Sequence, residues 1–230
     1  MQIPEIIIDD DHLPVERFRE MDYMSVKEYQ LPIELMMENA GLHLARLVTY
    51  ILPSPGKVLI GVGPGNNGGG GLVAARRLAA WDYIVTLDLP EKEINSLPEL
   101  QLARAMAAGV KMQPETHPDI FVDSYLGFSQ RLPLSTPIHR AVDRANKLEC
   151  SKISLDIPTG FNYRTGESIF KPDVVLTLAA MKTELLKLGE GIDVFLADLG
   201  IPAIVYKHFN IRQPIEFRDS GILHCKIPHK

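Results

Sequence analysis

From Lys57 onward, short apolar runs of strand length alternate with segments of helical periodicity. The runs are KVLIGV at 57–62, YIVTLDL at 83–89, a weak VKM at 110–112, DIFVDSYL at 119–126, KISLDI at 152–157, DVVLTLA at 173–179 and DVFLADL at 193–199. They are continuously apolar rather than alternating, the pattern of strands covered on both faces. Between them LVAARRLAAW, PELQLARAMAAG and PIHRAVDRANKL carry apolar residues at helical spacing. This alternation predicts an α/β fold: a doubly wound, mostly parallel sheet in a Rossmann-like three-layer α/β/α sandwich.

Upstream, Val15 to Tyr50 reads as two extra N-terminal helices. Phe18, Met21 and Met24 form one apolar stripe, and Leu35, Met36, Ala40, Leu44, Leu47 and Val48 a second. The break is expected near Leu31-Pro32, because the residue before a proline avoids helical geometry. FNYRTGESIFKP at 161–172 lacks periodicity and is expected as a hairpin or ordered loop. Residues 1–211 read as one domain, and 212–230 as a polar, irregular C-terminal tail.

Composition narrows the class. The 230 residues are 46% hydrophobic with a net charge of −5, and Lys and Arg are scattered. A nucleic-acid surface needs concentrated basic charge, so none is expected. Cys150 and Cys225 have neither CxxC spacing nor a neighbouring His, which gives no disulfide framework or zinc site. The first residues lack the basic segment of a signal peptide, and no apolar stretch reaches membrane-spanning length. A cytoplasmic location follows as an expectation.

Chemistry concentrates after the first of the apolar runs. In GVGPGNNGGGGLVAARRL, Gly63, Gly65 and Gly68 satisfy GxGxxG, and the following helix would add its dipole and free N–H groups to an anion site. A phosphate-bearing small molecule is the natural guest. Asp88, 20 residues beyond Gly68, stands where a dinucleotide fold places its ribose-binding acid, which keeps a nicotinamide-dependent dehydrogenase open. Against it, Pro64 stiffens the turn, and Asn66-Asn67 ahead of four glycines is more polar than a nicotinamide fingerprint. No Lys-Ser or Lys-Thr completes a P-loop, and no GxSxG elbow marks a serine hydrolase.

Two more acids fall where strands should end, Asp123 in FVDSYLGFS and Asp156 in SLDIPTG. Each alone reads equally well as a turn former. Together, three strand ends would bring Asn67, Asp123 and Thr159 to one crevice as oxygen ligands for a hard cation, with Asp156 left for acid–base work.

Several segments in order then carry a family resemblance: RFREMD at 17–22, LMMENAG at 35–41, GPGNNGGGGLVAARRL at 63–78, VDSYLGFS at 122–129, SLDIPTG at 154–160, LTLAAMK at 176–182 and ADLGIP at 197–202. The chain resembles the YjeF-type N-terminal domain family, whose enzymes are NAD(P)HX epimerases. The resemblance implies a homodimeric isomerase that interconverts the R and S forms of hydrated NADH and NADPH in nicotinamide nucleotide repair. It implies K+ as the cation, held by Asn67, Asp123 and Thr159, the last in place of the usual serine. It implies substrate contacts from Asn66, Asn67, Gly68, Gly69 and Gly70, from Gly127, Phe128, Ser129, Gln130, Arg131 and Leu132, and from Asp156, which is also the expected catalytic acid–base. Lys182, within LTLAAMK, reads either as facing the phosphate crevice or as a solvated helix-start lysine. The dehydratase domain fused to many relatives is not expected here, so a dehydratase partner would be a separate polypeptide. One position departs from the family motif GNNGGDG: Gly70 stands where that motif has an acid, which leaves open an inactive nucleotide-binding or scaffold descendant.

Overall fold

A computed structural model describes residues 2–227. In chain order the elements are β1 (Glu5–Ile7), β2 (His12–Leu13), α1 (Val15–Lys27), α2 (Ile33–Ile51), β3 (Lys57–Val62), α3 (Asn66–Ala79), β4 (Ile84–Asp88), α4 (Ser96–Ala107), β5 (Ile120–Ser124), α5 (Thr136–Ala145), β6 (Ser151–Leu155), β7 (Val174–Leu178), β8 (Met181–Lys182), a 3-10 turn (Thr183–Lys187), β9 (Asp193–Ala197), α6 (Ala203–His208), α7 (Phe217–Ser220) and β10 (Ile222–Lys226).

Eight strands form one sheet in the order β1-β10-β9-β7-β6-β5-β3-β4, and β2 pairs separately with β8. All pairings from β4 to β9 are parallel, and β10 joins β9 antiparallel. The chain leaves β3 outward to β4 and then returns to β5 on the other side of β3. That reversal opens a crevice beyond the carboxyl ends of β3 and β5, the place where open α/β sheets bind ligands.

Successive strand residues serve opposite faces. Val58, Ile60 and Val62 of β3 join Ile120 and Val122 of β5 and residues of α2, α3 and α4 in one core. The intervening Leu59 and Phe121 pack on the other face with Ile138, Ala141 and Val142 of α5. The result is the three-layer arrangement expected, and the buried double-sided strands explain the uninterrupted apolar runs. The break between the leading helices also falls as expected, with Pro32 immediately before α2. Of those helices, α2 lies on α3, while Phe18 and Met21 of α1 meet Val205 and Tyr206 of α6 in a separate cluster.

Two expectations need correction, and the choice at 161–172 between hairpin and ordered loop is resolved. The weak run at 110–112 is not a strand; it contributes one bridge, Thr86 to Lys111. The segment at 161–172 is an ordered loop without strands, closed by the Asn162 N–H to the Glu167 carbonyl at 2.7 Å. The segment from Arg212, expected to be irregular, supplies α7 and then β10, which lies inside the sheet with Ile222 and Leu223 fully buried. Positions 228–230 of that expected tail lie outside the described residues.

Candidate active site

The Asn-Gly segment is not a loop for most of its length, because α3 begins at Asn66 and the glycines occupy its first two turns. Each glycine inside a helix costs about 1 kcal/mol relative to alanine, so a local reading favours a loop. Packing decides otherwise. A side chain at Gly68 would run into the Gly63 backbone, one at Gly71 into the Ser124 hydroxyl, and one at Gly69 would meet Met37 Sδ at 2.6 Å. The absent side chains let α3 lie directly on β3, β5 and α2. Gly63 has its own constraint, since a Cβ there would collide with the Tyr125 carbonyl.

The start of α3 has no side-chain cap, and its first internal bond runs from the Gly69 N–H to the Gly65 carbonyl at 3.1 Å. The N–H groups of Asn66, Asn67 and Gly68 are therefore free of helix partners at the positive end of the helix dipole. Asn66 and Asn67 line a cavity of about 460 Å³ beyond the ends of β3, β5 and β6. Its lining includes Phe18, Asp22, Met36, Met37, Gly65, Asn66, Asn67, Gly70, Tyr125, Gly127, Phe128, Ser129, Gln130 and Asp156. No lysine or arginine lines it, so an anion here is met by backbone N–H groups.

Asp156 ends β6 in a left-handed conformation, φ 70°. Asp tolerates that region better than most residues, and the Asp156 N–H donates to the Leu176 carbonyl at 2.7 Å, tying the turn to β7. Its Oδ2 accepts from the Phe128 N–H at 2.7 Å. Its Oδ1 lies 2.9 Å from Lys182 Nζ, which directs hydrogen bonds to Leu178 O at 2.7 Å and Thr177 Oγ1 at 3.1 Å. Oδ1 thus meets the ammonium as a charge and has no directed donor among the described residues. The reading of Lys182 as a solvated lysine is corrected: it is 0% exposed, beneath the cavity, with Nζ 3.8 Å from the centre of the Phe18 ring. Burial lowers its proton affinity, and the Asp156 charge opposes that shift.

Under the cavity, Asp123 is 0% exposed and satisfied on both oxygens. Oδ1 accepts from Thr159 Oγ1 at 2.6 Å and the Tyr125 N–H at 3.2 Å; Oδ2 accepts from Ser154 Oγ and the Thr159 N–H, both at 2.9 Å. Desolvation nevertheless pushes its pKa up to about 6, with those hydrogen bonds pulling it back. Thr159 Oγ1 also accepts from the Leu126 N–H at 3.2 Å, and Asn67 Nδ2 donates to the Leu155 carbonyl at 3.2 Å. A Cβ on Gly127 would sit 2.8 Å from Asp156 Oδ2 and 3.2 Å from Asn67 Oδ1, so this glycine is what lets the two side chains share the cavity edge.

The remaining sequence candidates divide. Asn66, Gly70, Phe128 and Ser129 line the cavity; Gly68 and Gly69 are buried behind it; Arg131 and Leu132 are exposed and outside its lining. Gln130 lines the cavity but its amide is engaged, donating to the Pro158 carbonyl at 3.1 Å and accepting from the Gly160 N–H at 2.6 Å. Asp88 is not available as a ribose acid. It accepts from Tyr125 OH at 2.8 Å and pairs with Arg144 at 3.0 Å, which removes the feature that favoured a dehydrogenase. Sequence reading passed over Asp22, although its spacing of four from Phe18 puts both on one helix face.

Residues 33–184 match the family described as YjeF-related protein N-terminus. The NAD(P)H-hydrate epimerase of Rhodopirellula baltica is 35% identical over 215 residues, covering 85% of this chain and 87% of that protein. That of Dehalogenimonas lykanthroporepellens is 34% identical over 215 residues, covering 87% and 86%. The bifunctional NAD(P)H-hydrate repair enzyme Nnr of Archaeoglobus fulgidus is 37% identical over 174 residues, which span 73% of this chain and 37% of the longer protein. The crystal structure of yeast ynu0, YNL200c, superposes with a TM-score of 0.83 over 93% of this chain and 99% of that one, at 22% identity, a likeness of fold. Ordered motifs, a family match over most of the chain and full-length relatives agree: the chain belongs to the YjeF-related N-terminus family.

Proposed function

We propose that this chain is an NAD(P)H-hydrate epimerase, an isomerase that interconverts the R and S forms of hydrated NADH and NADPH. The observation that carries the reading is one cavity with free N–H groups of α3 at one wall and the Asp156 carboxyl at another. The first suits a phosphate and the second a proton. Relatives named NAD(P)H-hydrate epimerase, similar along most of their length, support the same conclusion.

The reacting carbon bears a hydroxyl and the ring nitrogen. Epimerisation requires the C–O bond to break as the hydroxyl takes a proton, the nitrogen lone pair forming an iminium-like cation. Water then returns to the other face and gives up a proton. Asp156 is the acid–base group in this reading, with the Phe128 N–H and Lys182 fixing its position. Asn66, Asn67 and the loop from Gly127 hold the substrate.

Potassium belongs to the same proposal. The buried Asp123 carboxylate has no basic side chain beside it among the described residues, and with Thr159 Oγ1 and Asn67 Oδ1 it offers oxygen donors of the kind a hard cation takes. These three residues would hold the ion. When bound, it would fix the loops and offset phosphate charge rather than activate water. Among the described residues no group of three or more His, Cys, Asp and Glu side chains converges as in a transition-metal centre.

The reading extends to a homodimer, favoured by the exposed apolar Tyr23 and Leu35, and to a cytoplasmic setting, favoured by two free cysteines. No described helix is long and apolar enough to cross a membrane. A separate dehydratase is the proposed partner, since the Archaeoglobus fulgidus relative is bifunctional. The alternative of an inactive descendant, prompted by Gly70, gains no support, because the acid–base role falls on Asp156 of a different segment.

The test is to supply one pure epimer of hydrated NADH or NADPH and follow the other by chromatography, with and without potassium. Conversion well above the spontaneous rate is expected. A rate equal to the protein-free control rejects the enzyme reading.

A further inference from the structure

Two charged side chains line the cavity, and both are acids. Asp156 stands at the end of β6 and is held on both sides, by the Phe128 N–H and the Lys182 ammonium. Asp22 comes from α1, one helical turn beyond Phe18, and reaches the same cavity. It is half-buried, yet among the described residues no hydrogen bond reaches its carboxyl. A half-buried carboxyl without a partner is unfavourable unless something else meets it.

Asp22 lies within reach of the charges around Asp156. Burial raises the proton affinity of Asp22, the charge of Asp156 raises it further, and Lys182 opposes both. Two carboxyls in one site whose surroundings set them apart is the arrangement by which acid and base roles are divided. Lys182 sits against Asp156, its Nζ 2.9 Å from Oδ1, and no such cation touches Asp22 among the described residues.

Resting on the epimerase reading, we propose that Asp22 is a second catalytic acid–base residue, serving the face of the reacting carbon that Asp156 does not. In one direction the Asp22 carboxyl gives its proton to the leaving hydroxyl, which departs as water. The C–O bond breaks and the ring nitrogen lone pair makes the iminium. Water adds to the opposite face and releases a proton to Asp156. Asp22 ends as carboxylate and Asp156 as acid, so the next turnover runs in the reverse sense or follows proton exchange with solvent. No oxidant or further reactant enters. Between the two steps a cation lies in a cavity whose charged lining side chains are both acids.

Asp22→Asn keeps size and shape, and the expected result is a fall in kcat of about 10²- to 10⁴-fold with KM for the hydrate within about threefold. Asp22→Glu and Asp22→Gln form a second pair of equal size, in which Glu recovers part of the rate and Gln does not; this comparison stands even where Asn perturbs folding. Wild-type kcat in Asp22→Asn, or equal rates in the Glu and Gln variants, overturns the assignment of Asp22 and leaves the epimerase reading intact. An inactive wild-type chain overturns that reading and this one with it.

Discussion

Asp156 Oδ1 and Lys182 Nζ lie 2.9 Å apart beneath the cavity, the lysine wholly buried and the aspartate almost so. Removing one member of such a pair strands the other charge away from water, which typically destabilises a protein by about 3–5 kcal/mol. Lys182→Met is therefore expected to lower the urea midpoint sharply. The double variant with Asp156→Asn should lose less than the two single losses added together, and strict additivity would show that the pair is not coupled.

Thr159 Oγ1 donates to Asp123 and accepts from the Leu126 N–H, so Thr159→Val breaks two buried hydrogen bonds and removes a proposed potassium ligand. The expected loss is about 1–3 kcal/mol. More tellingly, any difference in melting temperature between potassium chloride and tetramethylammonium chloride should vanish in the variant. A variant that keeps the full potassium response would remove Thr159 from the ligand set.

Gly63 faces the Tyr125 carbonyl so closely that no side chain fits. Overpacking of this kind costs about 1–3 kcal/mol or more, and the obstacle is backbone rather than a movable side chain. Gly63→Ala should be markedly unstable, whereas Gly65→Ala, with open space at its Cβ, should melt near wild type. Equal melting temperatures would contradict the packing described.

His43 is buried on α2, and burial followed by the charges of Arg46 and Arg77 lowers its pKa from 6.5 to about 4. The folded state thus disfavours the charged imidazole. Between pH 6.5 and 4 the unfolded chain binds the extra proton, so this contribution is present above 6.5 and lost as pH falls, by up to about 3 kcal/mol. Asp123 acts oppositely: its pKa is raised to about 6, so its contribution is present at low pH and lost as pH rises through that value. The His43 effect is isolated by comparing wild type with His43→Gln. The stability difference should shrink as pH is lowered through this window, and a constant difference would contradict the burial argument.

Strands β3, β5, β6, β7 and β9 were legible because each is covered on both faces and so reads as an unbroken apolar run. β10 was not, since HCK within Ile222–Lys226 dilutes its apolar character; its pairing with β9 comes from distant chain and not from local pattern. The start of α3 at Asn66 was not legible either, for a related reason. Propensity favours a loop, but the fit of α3 against Gly63, Ser124 and Met37 is a tertiary property. Within the site, Asn67, Asp123, Asp156 and Thr159 could be placed together because strand ends share one edge of a parallel sheet. Lys182 and Asp22 could not be oriented: the first lies in a two-residue strand, and the second lies beside the core stripe of a helix whose docking no local signal specifies.

Asp156 at the cavity wall is the centre of the account, and the epimerisation rate of Asp156→Asn tests it most directly. Asparagine preserves the shape and the acceptor for the Phe128 N–H while abolishing proton exchange. The account predicts a loss of about 10²- to 10⁴-fold in kcat in a protein that still binds the reduced dinucleotide, and an Asp156→Asn enzyme turning over at the wild-type rate would contradict it.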